Sequence, residues 1–343
     1  MPQEVKLHPS GQVVTCEDGE TVLEALERSG YALPNNCRAG ACGECKVHVR
    51  SGEFDQGFVL DMALSQDERA EGFGLMCMAK PLGPMVIDWG TEDAKPKLFP
   101  PRASQYAVLV DRIARTPRIT EFVLRPLGEP MRFWPGQYIQ LGDPGAGVPV
   151  RSYSLASAPR PDGELKLQVT RAEAEDKDPL AGRTSRWLHD EVQLGDTLRF
   201  SGPHGTFIGD PAVDTPVLCL AAGSGLAPIL SLTEAALRRG YKPPVTLMFS
   251  AREVAELYDR GLMRYWEQRY PNFRYLPTTT RVPAEGLLHG RIPTILGQQF
   301  PDLSGYSVFI AGTTSFVDDC VFAAKALGAK PQLIHTEGFF TQI

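Results

Sequence analysis

Three cysteines share one short loop of small residues, and a fourth cysteine returns from farther along the chain. The loop holds Cys37, Cys42 and Cys45, and Cys77 is the distant member of the set. The spacing C-x4-C-x2-C followed by a remote cysteine is the plant-type pattern for a [2Fe-2S] cluster. Four thiolates can hold iron tetrahedrally, and small loop residues let backbone amides reach the cluster sulfurs. We therefore predict that these four cysteines are iron ligands.

Two other uses of cysteine compete with this prediction. Structural zinc sites usually pair two C-x2-C knuckles, whereas here one ligand stands alone. Disulfides suit small secreted domains, and this chain has 343 residues. The remaining cysteines lie scattered in apolar surroundings, and we interpret them as core thiols: Cys16, Cys219 and Cys320.

Length and charge limit the class of protein. A chain of 343 residues is expected to form two or three domains. The formal net charge of -6 provides no basic stripe for nucleic acid. The N-terminal residues show no basic region followed by an apolar core, and no apolar run approaches about eighteen residues. We expect a cytoplasmic monomer that binds neither nucleic acid nor membranes.

The pattern of apolar, turn-forming and polar residues changes twice along the chain. Residues 1–93 read as short strands, a capped helix and the cysteine loop, and residues 94–104 form a proline-containing linker. Residues 105–209 show short strands separated by Gly and Pro turns, which predicts an antiparallel barrel. Residues 210–343 alternate apolar strands with helices, which predicts a parallel sheet. The fold class is therefore multidomain, combining α/β and α+β parts.

Two motifs in the barrel region are suited to a large anionic, aromatic ligand. Arg151, Tyr153 and Ser154 lie on one predicted strand, where a guanidinium can bind a pyrophosphate and a tyrosine ring can cover a flat heteroaromatic. An ordinary strand without a ligand would also explain the four residues from Arg151 to Ser154. Gly182 and Ser185 lie at the start of a predicted helix, where free amides and a hydroxyl can meet an anionic group.

A glycine loop follows the first strand of the parallel region and leads into a helix. Gly223 and Gly225 permit close approach of the backbone to a pyrophosphate, and Pro228 fits the first turn of the helix. Arg252 follows the next strand, where the ribose of a dinucleotide is recognised. Its guanidinium could contact a 2'-phosphate or stack, so the sequence leaves NADH and NADPH open, with NADH preferred.

Together these motifs resemble the single-chain reductases of multicomponent oxygenases, and the resemblance covers nearly the whole chain. Members of that family join a plant-type ferredoxin domain to a ferredoxin-NADP+ reductase-like module. The resemblance implies a β-grasp ferredoxin domain at 1–93, a flavin-binding β-barrel at 105–209 and a Rossmann-like NAD(P)H domain at 210–343.

The resemblance also implies the roles of individual residues. Arg151, Gly182 and Ser185 would contact the FAD diphosphate, and Tyr153, Ser154 and Val169 would lie at the flavin. The implied nicotinamide nucleotide site comprises Gly223, Ser224, Gly225, Pro228, Arg252 and Gly312. The segment from Glu337 to Phe340 matches the acidic and aromatic segment that covers the flavin face, and the residues with implied catalytic roles are Ser154, Glu337 and Phe339.

Two stretches depart from the family pattern. A cysteine that commonly stands beside the nicotinamide is absent, because the C-G-P-x-x-M motif reads Ala311-Gly312-Thr313-Thr314-Ser315-Phe316 here. The acidic stretch 172–181 is longer than the usual link to the second diphosphate motif. We interpret it as a solvated loop.

By resemblance, the expected function is an electron relay. NAD(P)H would deliver a hydride to FAD, and electrons would leave singly through the cluster to a terminal Rieske oxygenase acting on an aromatic compound. The alternative acceptors are a soluble diiron monooxygenase and a deoxysugar dehydrase. A zinc-stabilised nucleotide-binding protein without redox activity is the alternative of another class.

Overall fold

The computed structural model describes residues 1–173, 180–210 and 213–339. The chain divides into two compact units. The first comprises Met1–Ala103 together with the short segments Arg132–Trp134 and Gly202–Thr206. The second comprises Ser104–Met131, Pro135–Ser201 and the part of the chain from Phe207 onwards.

The first unit is built on a five-stranded mixed sheet with the strand order β2-β1-β7-β3-β5. A separate short pair joins β4 to β6. The elements are β1 Gln3–His8, β2 Val13–Cys16, α1 Val22–Arg28, β3 Lys46–Ser51, β4 Phe54–Asp55, α2 Gln66–Ala70, β5 Phe73–Leu75, β6 Lys80–Pro81 and β7 Met85–Asp88.

Local sequence explains the start of both helices in this unit. Thr21 caps α1 in a capping box with Glu24, and Ser65 caps α2 in the same way with Glu68. The helix α1 buries Val22, Leu23 and Leu26 in the core of the first unit. The sequence from Ser65 to Glu68 predicts a capping box, and the structure confirms it.

The predicted linker is bonded to the first unit over part of its length. The amides of Lys97 and Leu98 both donate to the Gly30 carbonyl, at 2.6 and 2.9 Å. The Phe99 ring stacks on Trp134, with 5.7 Å between the ring centroids. A strand begins at Arg102, inside the stretch that the sequence analysis assigns to the linker.

An antiparallel six-stranded sheet follows, with the order β11-β10-β13-β8-β9-β12. A bridge between Leu155 and Leu167 joins the two edges, so the sheet closes into the predicted barrel. The elements are β8 Arg102–Ala114, β9 Ile119–Pro126, β10 Tyr138–Asp143, β11 Val148–Ser154, β12 Leu165–Thr170, α3 Arg183–Asp190 and β13 Thr197–His204. Gly202 and Pro203 predict a turn that begins at Gly202, and this prediction is wrong over its first three residues, because β13 continues through His204.

The last part of the second unit is a parallel sheet with the order β17-β16-β15-β14-β18-β19, as predicted. The elements are β14 Val217–Ala222, α4 Leu226–Arg238, β15 Val245–Ala251, α5 Arg260–Arg269, β16 Phe273–Thr279, β17 Leu288–His289, α6 Ile292–Gln299, β18 Ser307–Thr313, α7 Thr314–Ala326 and β19 Ile334–Phe339. The sequence analysis does not predict α6, whose Pro293 is tolerated because it lies in the first turn.

The strand order reverses at β14, since β15 lies on one side of it and β18 on the other. Open parallel sheets bind ligands at the carboxyl ends of the strands beside such a reversal. The loop after β14 fits closely there, because a Cβ on Gly225 would lie 2.2 Å from the Ala311 carbonyl oxygen. Only glycine allows this approach of two backbones.

In the described residues, no helix combines the length and the apolar character needed to cross a bilayer.

Replacing Gly225 with alanine should therefore strain the junction of β14 and β18. We expect the free energy of unfolding to fall by about 1–3 kcal/mol, as for other overpacked sites. The thermal unfolding midpoint is the measurement. Gly305→Ala is the control, because a Cβ there meets no atom within 4 Å and its effect should stay within about 0.5 kcal/mol. Equal midpoints for the two variants would contradict the argument.

Candidate functional site

The first unit brings the four predicted ligand cysteines together. The thiols of Cys37 and Cys42 are hydrogen-bonded to each other, and so are those of Cys45 and Cys77. Electrostatic coupling also links the two pairs. Cys37, Cys45 and Cys77 are buried, and Cys42 is partly exposed. The loop and the strand β5 that precedes Cys77 thus bring the four thiols together as two hydrogen-bonded pairs that interact electrostatically.

Backbone amides are directed at these sulfurs. Ala39 and Ala41 each donate to the Cys37 sulfur at 3.4 Å, and the Cys77 amide donates to the Cys45 sulfur at 3.4 Å. The Cys42 thiol and the amides of Ala39 and Ala41 lower the pKa of Cys37 despite its burial. The thiolate is the form that binds iron, and amide donors stabilise its charge. The donor set fits a [2Fe-2S] cluster.

Gly40 is required at the centre of the cysteine loop. Its φ is +68°, and a Cβ there would lie 2.8 Å from the Phe58 carbonyl oxygen and 2.9 Å from a Val59 methyl. Both the left-handed backbone and the close neighbour exclude a larger residue. The small residues of the loop therefore also let the segment around Phe58 pack against it.

A buried ion pair supports the same loop. Arg38 donates to Glu27 of α1 at 2.6 Å, and His204 lies 3.5 Å from the same carboxylate within the first unit. Burial by itself would raise the pKa of Glu27, but the Arg38 charge and the hydrogen bonds from His204 and Arg38 lower it. No charged partner for His204 is evident in the sequence, which predicts an isolated side chain, and that prediction is wrong. No local pattern indicates a pair between residues so far apart.

The three cysteines outside the predicted ligand set, Cys16, Cys219 and Cys320, are buried, so their interpretation as core thiols is confirmed. Burial is the main cause of the raised pKa of all three, which reaches about 11 for Cys16 and about 12 for Cys219. Neutral thiols of this kind behave as small apolar side chains.

The second unit contains a buried hydrogen bond between two residues predicted to act at the flavin. The Ser154 hydroxyl, at the end of β11, donates to the Glu337 carboxyl of β19 at 2.7 Å. Glu337 is only 6% exposed. Burial raises the pKa of Glu337 to about 7, although the Ser154 hydrogen bond opposes the shift.

The other carboxyl oxygen of Glu337 is buried and has no hydrogen-bond partner in the described residues. Orphaned buried polar atoms are uncommon in folded proteins, since each costs the free energy of desolvation. A hydrogen-bond donor on the edge of a flavin ring would satisfy this oxygen. The buried carboxyl of Glu337 therefore fits a flavin site. Phe339 ends the same strand, and Phe340 lies outside the described residues.

The two predicted diphosphate motifs meet at one end of the barrel. The Thr184 hydroxyl of α3 donates to the Pro149 carbonyl at 2.5 Å, which holds the start of the helix against β11 near Arg151. Within the described residues the Arg151 guanidinium donates only to the adjacent Val150 carbonyl, so its remaining donors are available for an anion. The half-buried Tyr153 follows on the same strand.

The first residues of α3 are fixed locally. Gly182 precedes the helix with φ +64°, and a Cβ there would lie 2.3 Å from the Ala172 side chain. The Ser185 hydroxyl donates to the Gly182 carbonyl and accepts from the Ala172 amide. Val169 is buried on β12. The acidic stretch assigned to a solvated loop falls largely on residues 174–179, outside the described residues.

The glycine loop lies at the reversal of the parallel sheet. Gly223–Gly225 form one turn of 3-10 helix that leads into α4, and Pro228 lies buried in the first turn of α4. Gly312 lies on the neighbouring strand β18, where a Cβ would meet the Phe316 ring at 2.8 Å. Ser224 is partly exposed, and Arg252 is exposed directly after β15. The structure thus gathers most of the predicted nucleotide residues at one sheet edge.

Family models match three successive parts of the chain. A 2Fe-2S iron-sulfur cluster binding domain matches residues 5–82. An oxidoreductase FAD-binding domain matches residues 108–208, and an oxidoreductase NAD-binding domain matches residues 219–321.

Similar proteins match the chain over nearly its whole length. The reductase subunit of an aromatic O-demethylase from Amycolatopsis sp. is 36% identical over 333 residues, which is 96% of each chain. The chain belongs to the family of oxygenase reductase components. The reductase component DmpP of phenol 2-monooxygenase from Pseudomonas sp. is 31% identical over 99% of this reductase and 95% of its own length. The crystal structure of the Amycolatopsis cytochrome P450 reductase GcoB superposes with a TM-score of 0.88 at 33% identity, covering 99% and 100% of the two chains.

These findings confirm the predicted fold class, the cofactor set and the enzyme class. This reductase is an NAD(P)H-dependent oxidoreductase with FAD and [2Fe-2S] domains. The alternative of a zinc-stabilised protein without redox activity is set aside, because the matched domains are those of an oxidoreductase.

Glu337 should make the stability of the flavin-free reductase depend on pH. Its pKa of about 7 in the folded chain exceeds its ordinary value of 4.5. The stabilising contribution is therefore fully present below pH 4.5 and is lost as the pH rises through 7. Relative to Glu337→Gln, the free energy of unfolding should fall by about 3 kcal/mol over that range. Urea unfolding at several pH values measures it, and parallel profiles for the two proteins would contradict the assignment.

Proposed function

We propose that this reductase delivers electrons from NAD(P)H to a terminal oxygenase that acts on an aromatic compound. The observation that carries the proposal is the gathering of four thiols and their amide donors in the first unit. A cluster at this position supplies one-electron transfer to a protein acceptor. The names of the similar reductases, which serve an aromatic O-demethylase and a phenol monooxygenase, support an aromatic substrate for the partner enzyme.

We propose the residue roles as follows. Cys37, Cys42, Cys45 and Cys77 hold the cluster. The FAD diphosphate is bound by Arg151, Gly182 and Ser185, and the flavin lies against Tyr153, Ser154 and Val169. The nicotinamide nucleotide is bound by Gly223, Ser224, Gly225, Pro228, Arg252 and Gly312. Phe339 and Glu337 border the face where the nicotinamide enters.

When bound, FAD supplies the conversion of a two-electron hydride donor into single electrons, and the cluster supplies their exit. The protein supplies position and charge. Ser154 orients the carboxyl of Glu337 through the 2.7 Å hydrogen bond. With a pKa of about 7, that carboxyl can hold or release a proton near neutral pH at the oxygen that lacks a partner.

Several finer points stay predictions. They are the domain boundaries 1–93, 94–104, 105–209 and 210–343, the monomeric state, the cytoplasmic location, the Rieske class of the acceptor, and the preference for NADH over NADPH. The exposed Arg252 supports neither nucleotide over the other, because its guanidinium can meet a phosphate or a ribose.

Cys42→Ser tests the relay. We expect loss of the cluster and of electron transfer to a protein acceptor, with ferricyanide reduction by NADH or NADPH retained. The physical reason is that hydride transfer to flavin needs no iron. Visible spectra and the two assays measure the outcome. Cys16→Ser is the control, because Cys16 is a buried thiol of the same unit outside the loop. Loss of ferricyanide activity in Cys42→Ser alone would overturn the modular relay.

A cytochrome P450 is a second candidate acceptor. The observation that favours it is the likeness to the Amycolatopsis cytochrome P450 reductase, at 33% identity over 99% of this chain.

Reconstitution with purified oxygenases distinguishes the acceptors. The reductase is mixed with a Rieske oxygenase, a diiron monooxygenase, a P450 O-demethylase or a deoxysugar dehydrase, and product formation per nucleotide oxidised is measured. We expect coupled turnover with one of the three aromatic oxygenases. Coupled turnover with the dehydrase alone would contradict the aromatic proposal.

A further inference from the structure

A buried tyrosine contacts the glycine loop from the side of the protein interior. Tyr258 is 4% exposed, and its ring packs edge-on against Phe249 with 5.4 Å between the centroids. Its hydroxyl donates to the Gly223 carbonyl at 2.9 Å. The Leu226 amide donates to the same carbonyl, so both lone pairs of that oxygen are used.

The side chain of Gln168, on barrel strand β12, lies beside this hydroxyl. The Gln168 amide nitrogen donates to Asp259 at 2.8 Å and to Glu121 at 3.2 Å. A reversed amide would direct its oxygen at two carboxylates, so the nitrogen must face them. The amide oxygen is then an acceptor 3.3 Å from the Tyr258 hydroxyl. Because a hydroxyl has one hydrogen, the shorter contact to Gly223 takes it.

Asp259 is held in an unusual conformation by the same set of side chains. Its φ is +56°, and it precedes α5 without capping that helix through its side chain. Its carboxylate instead pairs with Arg115 at 3.1 Å and accepts from Gln168. Arg115 also pairs with Glu121 at 3.0 Å. A residue that has a strained backbone and does not cap its helix is found only where the surrounding contacts fix its conformation.

The set therefore runs from the barrel to the glycine loop in one unit. Arg115, Glu121 and Gln168 come from the barrel region, whereas Asp259 and Tyr258 follow β15 of the parallel sheet. Gly223 itself has φ +57°, and a Cβ on it would meet no atom within 4 Å. Packing does not hold this residue, so its hydrogen bonds set the direction in which the loop amides point.

We propose that Tyr258 is a positioning residue for the nicotinamide nucleotide. Through the Gly223 carbonyl it holds the glycine loop. The adjacent Asp259, which accepts from Gln168, ties the Tyr258 segment to the barrel. The inference rests on the proposed role of the loop in binding the nucleotide diphosphate. A displaced loop would present its amides poorly to the diphosphate and so weaken binding before hydride transfer.

Tyr258→Phe removes only the hydroxyl and tests the proposal in the holoenzyme with FAD and cluster. Anaerobic stopped-flow reduction of the flavin, followed over a range of NADH concentrations, separates the Kd of NADH from the limiting rate constant. We expect the Kd to rise about tenfold, in line with the loss of one buried hydrogen bond, while FAD content stays at the wild-type level. A purely structural hydroxyl would lower the unfolding temperature and leave the Kd unchanged.

Tyr241→Phe is the matched control. Its hydroxyl donates to the Thr215 carbonyl in the same unit and makes no hydrogen bond to the glycine loop in the part of the chain that the structure describes. Its Kd for NADH should stay within about twofold of the wild type, while its unfolding temperature falls as in Tyr258→Phe. An unchanged Kd in Tyr258→Phe, or an equal rise in both variants, would overturn the proposal.

Gln168→Met tests the link to the barrel. It should raise the Kd of NADH, and the double variant with Tyr258→Phe should bind NADH about as weakly as the weaker single variant. If instead the fold-increases in Kd of the two single variants multiply in the double variant, Gln168 acts independently of Tyr258 and the link is overturned. Should NADH and NADPH both fail to reduce the wild-type flavin, the proposed function fails together with this inference. Normal reduction of the wild type with an unaffected Tyr258→Phe removes this inference alone.

Discussion

The hydrogen bond between Ser154 and Glu337 joins the end of a barrel strand to the end of a parallel strand, and the roles proposed for both residues at the flavin depend on it. It is made between buried groups, so breaking it would leave a carboxyl without any partner. The second oxygen of Glu337 already lacks one within the described residues. Within the described residues this oxygen is thus left for a partner outside the protein, in keeping with the proposed flavin site.

In the glycine loop of the second unit, close packing and backbone conformation explain the two glycines separately. Gly225 is required because two backbones approach closely, whereas Gly223 is required by its left-handed conformation and has open space around it. One glycine of the loop is therefore held by packing, and the other by hydrogen bonds from Leu226 and Tyr258. Two glycines in the same short loop perform separate physical tasks, one steric and one conformational.

In the first unit, a cation and several backbone amides belong to the cysteine loop. Arg38 has φ +54° and extends to the buried Glu27, which pins a strained residue beside Cys37 to helix α1. Amides of the same loop point at the cysteine sulfurs. Both features stabilise negative charge on the sulfurs, because a cation and several dipoles lie within the loop that carries them.

The sequence by itself located the set of four cysteines, the order of the matched domains and the glycine loop. These depend on residue types at short spacings, and the capping boxes at Thr21 and Ser65 are local in the same sense. Helix α6 and the extension of β13 through His204 escaped prediction, since packing overrides weak local preferences there. Only the tertiary structure decided that Tyr258 bonds Gly223, that Gln168 faces two carboxylates and that Glu337 is buried against Ser154. Those contacts join residues far apart in the chain, and their burial, which sets their strength and the pKa of Glu337, exists only after the strands have assembled.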